Sequence, residues 1–103
     1  ESQKAIDNIE EIVKVPGLDA ILIGPYDLSA SLGRIGEVNH PEVQKAISRV
    51  AAVCKAANIK LGYFGVNASA VKSAIENGFT LITVGVDTLF VIKSATESLE
   101  ELK

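Results

Sequence analysis

Glu1 and Asp27 are the two acidic residues in this chain best placed to act together, because only one helix-like and one strand-like segment separate them. Asp27 sits in Gly24-Pro-Tyr-Asp-Leu-Ser29, directly after the apolar run Ala20 to Ile23. That run lacks polar alternation, the pattern of a parallel strand covered on both faces, so it is expected to be interior. Gly24 and Pro25 stop the strand and leave Tyr26, Asp27, Leu28 and Ser29 in a polar turn at its carboxyl end, where α/β folds bind ligands. If Glu1 ends a preceding strand as Asp27 ends this one, both carboxylates project from one end of a sheet whose strands lie roughly 4.8 Å apart. Such a pair suits a hard divalent cation, Mg2+ or Mn2+, with coordination positions left for a chelating substrate. Spacing alone leaves a plainer arrangement open, in which Glu1 is a frayed terminal residue and Asp27 caps the following turn.

The elements that must position these groups follow from periodicity. Ala5, Ile6, Ile9, Ile12 and Val13 recur at helical spacing between Ser2 and Val15, and Pro16-Gly17 ends that helix. Arg34 to Asn39 reads as a surface connection, and His40-Pro41 opens a helix whose buried stripe is Val43, Ile47, Val50 and Cys54, stopped by a left-handed Asn58. Lys60 to Val66 reads as a second strand. Asn67 then caps a helix carrying Val71, Ala74 and Ile75, which Gly78 closes. Thr80 to Val86 repeats the buried-strand pattern, and Asp87-Thr88 caps a last helix striped by Leu89, Ile92, Ala95, Leu99 and Leu102. The order αβαβαβα predicts a parallel sheet. A three-stranded sheet of this kind is either a doubly wound mini-domain or part of a barrel.

Composition narrows the classes. With 103 residues, 48% hydrophobic and 22% charged, the chain is a globular domain at most, well short of the roughly 250 residues of a complete (β/α)8 barrel. A net charge of -3 gives no electrostatic reason to expect nucleic acid or an anionic membrane. The lone cysteine, Cys54, and the lack of a long apolar span suit a reducing, cytoplasmic setting. There is no methionine, and the chain reads as a piece of a longer polypeptide.

The run Val15 to Gly33, with His40-Pro-Glu-Val43 and Val84-Gly-Val-Asp-Thr88, resembles the carboxyl-terminal half of the HpcH/HpaI family of metal-dependent 2-oxo-acid aldolases. Gly-Pro-x-Asp-Leu-Ser is the most specific part of the likeness. The resemblance implies that residues 1–103 are part of a (β/α)8 TIM barrel lacking its amino-terminal half. It implies retro-aldol cleavage of a 4-hydroxy-2-oxo acid to pyruvate and an aldehyde, with a divalent metal cation (Mg2+, Mn2+ or Co2+) held by Glu1 and Asp27. It also implies that the backbone N–H groups of Tyr26 and Asp27 grip the substrate carboxylate, and that Phe64 shapes the aldehyde pocket, although a plain core aromatic is an equally simple role for Phe64. The family takes its histidine base and its arginine from the missing half, and Arg34 and Arg49 match neither, so this stretch alone is expected to show no useful turnover. Family members assemble partly through terminal helices, which makes the last helix an expected contact in a homo-oligomer.

Other polar residues have structural explanations. His40 closes a helix N-terminus, Cys54 is core, Asn67 is a cap, and Lys60, Lys72 and Lys93 lie in helical or element-edge contexts, none of them reading as a buried Schiff-base lysine. Two alternatives remain at this stage. A citrate-lyase-like or malyl-CoA-type lyase would keep the carboxylate pair, but no basic cluster is present for CoA phosphates. A non-catalytic flavodoxin-like module would fit the length and alternation.

Overall fold

Three strands, β1 (Ala20–Ile23), β2 (Lys60–Gly65) and β3 (Leu81–Val84), pair in parallel in the order β1-β2-β3, in a computed structural model that describes residues 1–103. Ala20 lies opposite Lys60 and Ile23 opposite Tyr63, while Gly62 faces Leu81 and Gly65 faces Val84. A doubly wound domain reverses its strand order and binds ligands at the reversal. Strands in plain sequence order have no such point, which sets aside the flavodoxin-like module and agrees with part of a barrel.

Two local expectations need correction. The helix expected from Ser2 to Val15 is two short ones, α1 (Gln3–Asp7) and α2 (Ile9–Ile12). Asn8 breaks it: its backbone leaves the helical region, and its side-chain amide donates to the Lys4 carbonyl at 3.0 Å, the competition by which asparagine disfavours helix interiors. The polar turn expected after β1 is instead a helix, α3 (Pro25–Ser31), with Gly24 as its N-cap and proline in its first turn, where a missing N–H costs nothing. The remaining helices are α4 (Pro41–Ala56), α5 (Ala68–Glu76) and α6 (Asp87–Glu101). His40 and Asn67 cap α4 and α5 as expected, and Asn58 and Gly78 stop them at φ 57 and 88. The N-cap of α6 is Val86 rather than Asp87, whose carboxylate accepts the Thr88 N–H in the first turn.

The core lies on one face of the sheet. Ile6 and Ile9, Ile23, Leu28, the Val43, Ile47, Val50 and Cys54 stripe, Leu61, Ala74 and Phe79 are all buried there. By two-residue alternation the other face carries Leu22, Phe64, Leu81 and Thr83, and no helix covers it. The strands are therefore not interior on both sides as expected: Leu22 is 45% and Leu81 49% exposed. Gly62 permits Leu22 to lean across β2, since a Cβ there would stand 3.0 Å from Leu22 Cδ1. Ile75 on α5 is exposed as well, and α6 has no buried residue at all. Gly85, at φ 72, starts the path into α6, and a Cβ there would run into the Phe90 ring that folds back on it. No helix is long and apolar enough to cross a membrane.

Burial pushes the Cys54 thiol above its ordinary 9.0 and the Tyr63 hydroxyl above its ordinary 10.0. Folding thus favours both protonated forms. Their contribution is complete below those ordinary values and is lost as pH rises through the raised ones. Cys54 should resist a thiol reagent at about pH 8 until denaturant is added, and stability to urea should fall once pH passes 9.0. Fast labelling of the native protein would contradict this placement.

Candidate active site

The site is built where β1 becomes α3. Gly24 is still extended, and Pro25 begins the helix within one residue. The first N–H groups of any helix lack an intrahelical acceptor. Here Pro25 has none to satisfy, and those of Tyr26 and Asp27 have no backbone partner. Asp27 occupies the first turn, exposed.

Glu1 arrives from the other side. Ser2 caps α1 through its hydroxyl, which accepts the Ala5 N–H at 3.2 Å, and the Gln3 N–H donates to Ser31 Oγ, on α3, at 2.9 Å. The two acids meet at Gly24: a Cβ on that residue would stand 3.4 Å from Glu1 Oε1 and 3.7 Å from Asp27 Oδ2. Both carboxylates therefore border one small space that exists because residue 24 has no side chain. Neither takes part in any of the five ion pairs of the molecule. No cluster of three or more His, Cys, Asp or Glu side chains forms here or elsewhere.

Tyr26 is 57% exposed, and its ring lies against the loop at Gly36, where a Cβ would stand 3.6 Å from Cε2. Ser29, expected as part of a polar turn open to ligand, instead holds that loop. Fully buried, it donates its hydroxyl to the Tyr26 carbonyl and accepts the Gly36 N–H at 3.0 Å, while its own carbonyl accepts the Arg34 N–H at 2.7 Å. No sequence signal marks this role, because Gly36 comes beside Ser29 only in the fold, where the buried hydroxyl finds its partners.

Phe64 is half-buried on the uncovered sheet face, outside the core. It follows Tyr63, the partner of Ile23, and so stands level with Gly24. The other candidates are occupied elsewhere. His40 Nδ1 accepts the Glu42 N–H at 3.2 Å, Arg34 pairs with Glu42 at 3.6 Å, and Arg49 pairs with Glu10 at 2.8 Å. A cavity of about 410 Å³ between α4 and α5 lies on the covered face and contains no carboxylate, whereas an apolar cleft of about 210 Å³ beside β1 has Glu1 at its edge.

The profile of the HpcH/HpaI aldolase/citrate lyase family matches residues 1–94. The chain belongs to this family. It is 39% identical over 103 residues to 2-dehydro-3,6-dideoxy-6-sulfogluconate aldolase of Pseudomonas putida, covering all of this chain and 40% of that protein. Against hydroxypyruvate/pyruvate aldolase of Paraburkholderia phytofirmans the identity is 31%, with the same coverage. Among solved structures, an HpcH/HpaI aldolase/citrate lyase family protein from Burkholderia cenocepacia superposes with a TM-score of 0.94 at 37% identity, over 99% of this chain and 40% of that one. The chain thus spans about 40% of the length of the curated relatives it matches. Family membership covers every residue at the Gly24 junction, including the Ser29 tether.

Replacing Ser29 with alanine removes two hydrogen bonds of a buried hydroxyl, one to the Tyr26 carbonyl and one from the Gly36 N–H, each worth about 0.5–1.5 kcal/mol. The change should cost about 1–3 kcal/mol in urea unfolding. A loss below a few tenths of that would mean that the loop is held by other means.

Proposed function

We propose that this chain supplies the cation-holding part of the active site of a carbon–carbon lyase, which cleaves a 4-hydroxy-2-oxo acid to pyruvate and an aldehyde. The observation that carries the reading is the meeting of Glu1 and Asp27 over the bare Cα of Gly24. Residues 1–103 are then the carboxyl-terminal part of a (β/α)8 barrel, whose other strands cover Leu22, Phe64 and Leu81.

The residues present fit a divalent cation. The donors are all carboxylate oxygen, no side-chain ion pair competes for them, and two protein ligands leave room for water and substrate, as Mg2+ or Mn2+ prefer. When bound, such an ion supplies Lewis acidity toward the 2-oxo oxygen. The N–H groups of Tyr26 and Asp27 hold the substrate carboxylate, being the first free donors of α3 after Pro25. Tyr26, braced against the Gly36 loop through Ser29, and Phe64 on the adjacent strand shape the space for the aldehyde.

Cleavage breaks the C3–C4 bond. The 4-hydroxyl gives up its proton, C4 leaves as the aldehyde, and C3 gains a proton to yield pyruvate. His40 is committed to capping α4 and both arginines are ion-paired, so the base and the assisting arginine come from outside these 103 residues. The aldolase activity of the two relatives supports the same reaction class.

The partner proposed for α6 is a second copy of the chain. A 15-residue helix with Leu89 43%, Ile92 61% and Leu99 62% exposed is marginal in water on its own, and its apolar side chains need a cover.

Mn2+ titration of the intact protein with pyruvate present tests the site. Asp27→Ala and Glu1→Ala should each weaken binding about 10-fold or more, since loss of an outer-shell partner alone costs that much. Gly24→Ala should weaken it with the fold intact, because the backbone at φ -101 and ψ 93 accepts alanine while the methyl fills the shared space. Unchanged affinity in Asp27→Ala ends the proposal. For α6, size-exclusion chromatography should show an oligomer that Ile92→Lys with Leu99→Lys dissociates. A wild-type monomer would remove that role.

A further inference from the structure

Building on the cation-pair reading above, we propose that Ser31 is a positioning residue: by accepting the Gln3 N–H it sets where Glu1 stands relative to Asp27. Gln3 is the first residue of α1, so its N–H has no acceptor within the helix. The cap residue Ser2 serves Ala5 and leaves Gln3 unsatisfied. Ser31 Oγ fills that place at 2.9 Å across 28 residues of chain.

Ser31 lies four residues after Asp27, on the same face of α3. One short helix thus carries one carboxylate in its first turn and the anchor for the other in its last. Glu1 itself makes no side-chain hydrogen bond or ion pair to protein, and it is two residues from the anchored amide. Other attachments of α1 are further along. Ile6 is buried, and Arg49 donates to the Ile6 carbonyl at 3.3 Å. Those contacts hold the helix body, whereas the Ser31 bond reaches the end that bears Glu1. Ser31 is exposed and outside the core, so its hydroxyl can be removed without a cavity.

The donor can be deleted too, with the exposed bond from the Gln3 side-chain amide to Asp7 Oδ1 lost alongside. Proline is favoured at the first helical position, and Ser2, at φ -119 and ψ 154, already has the extended backbone that a residue before proline needs. Gln3→Pro therefore removes the same hydrogen bond from its other side.

The test is Mn2+ affinity of the intact protein, measured with melting temperature for Ser31→Ala, Gln3→Pro, the double variant, Ser31→Thr and Asp27→Ala. Each of the first two should weaken Mn2+ binding about 2- to 10-fold at unchanged melting temperature, the range expected for one hydrogen bond. The double variant should be no weaker than either single one, because both delete one interaction. Ser31→Thr, which keeps the hydroxyl, should restore binding. Wild-type affinity in Ser31→Ala beside a loss in Asp27→Ala overturns the positioning role and leaves the cation site standing. Additive losses, failure of threonine to rescue, or a fall in melting temperature that tracks the affinity also overturns it. Unchanged affinity in Asp27→Ala removes the cation reading and this proposal with it.

Discussion

The chain has to leave β1 and enter α3 within a single residue, and the rest of the site depends on how Gly24 does this. An extended residue without a side chain lets Glu1 and Asp27 come up to the same point from two segments that are distant in sequence. Any larger residue would separate them or fill the space between. The proline that follows removes one amide from a crowded helix start and leaves the next two free to face outward. Backbone geometry, local charge and open donors therefore arise together from Gly24-Pro-Tyr-Asp.

The scaffold around this junction is built on one side only. Helices α1 to α5 pack over the face that carries Ile23, Leu61 and Tyr63, and 12 buried residues form one cluster there. The opposite face, with Leu22, Phe64 and Leu81, has the composition of an interior and the exposure of a surface. A parallel sheet is normally covered on both faces, and family membership with 40% coverage of the relatives gives a physical context for the uncovered one. The carboxylates lie at the carboxyl end of that sheet, where open α/β sheets and barrels place their ligands.

Much of this was legible in the residues. The three strands, the caps at His40 and Asn67, the left-handed Asn58 and the stripe on α4 follow from periodicity and capping chemistry, because each is decided within a few neighbouring residues. The break at Asn8 is invisible to periodicity, because the spacing of Ile6, Ile9 and Ile12 satisfies a continuous helix while one side-chain amide satisfies a different backbone. The polar stretch after β1 has the pattern of a turn, because Gly24-Pro25 punctuates strongly and Ser29 and Ser31 favour loops. Leu28, buried beneath the stretch, and proline's fitness for a first turn made it a helix instead. Apolar patterning showed which residues need cover but not whether this chain provides it, hence the exposed Leu81, Ile75 and α6. The Ser29 and Ser31 contacts link segments whose proximity exists only after folding, and no local pattern announces them.

The turn from β3 into α6 has its own consequence. Phe90 folds onto the left-handed Gly85, and the bulk of that ring leaves no room for a side chain at residue 85. The departure angle of the exposed arm is thereby set by the chain that owns it. The contact fixes the first turn of α6 against the end of β3 and leaves the rest of the helix projecting. A side chain at residue 85 would have to displace the Phe90 ring, and it would change how α6 leaves β3.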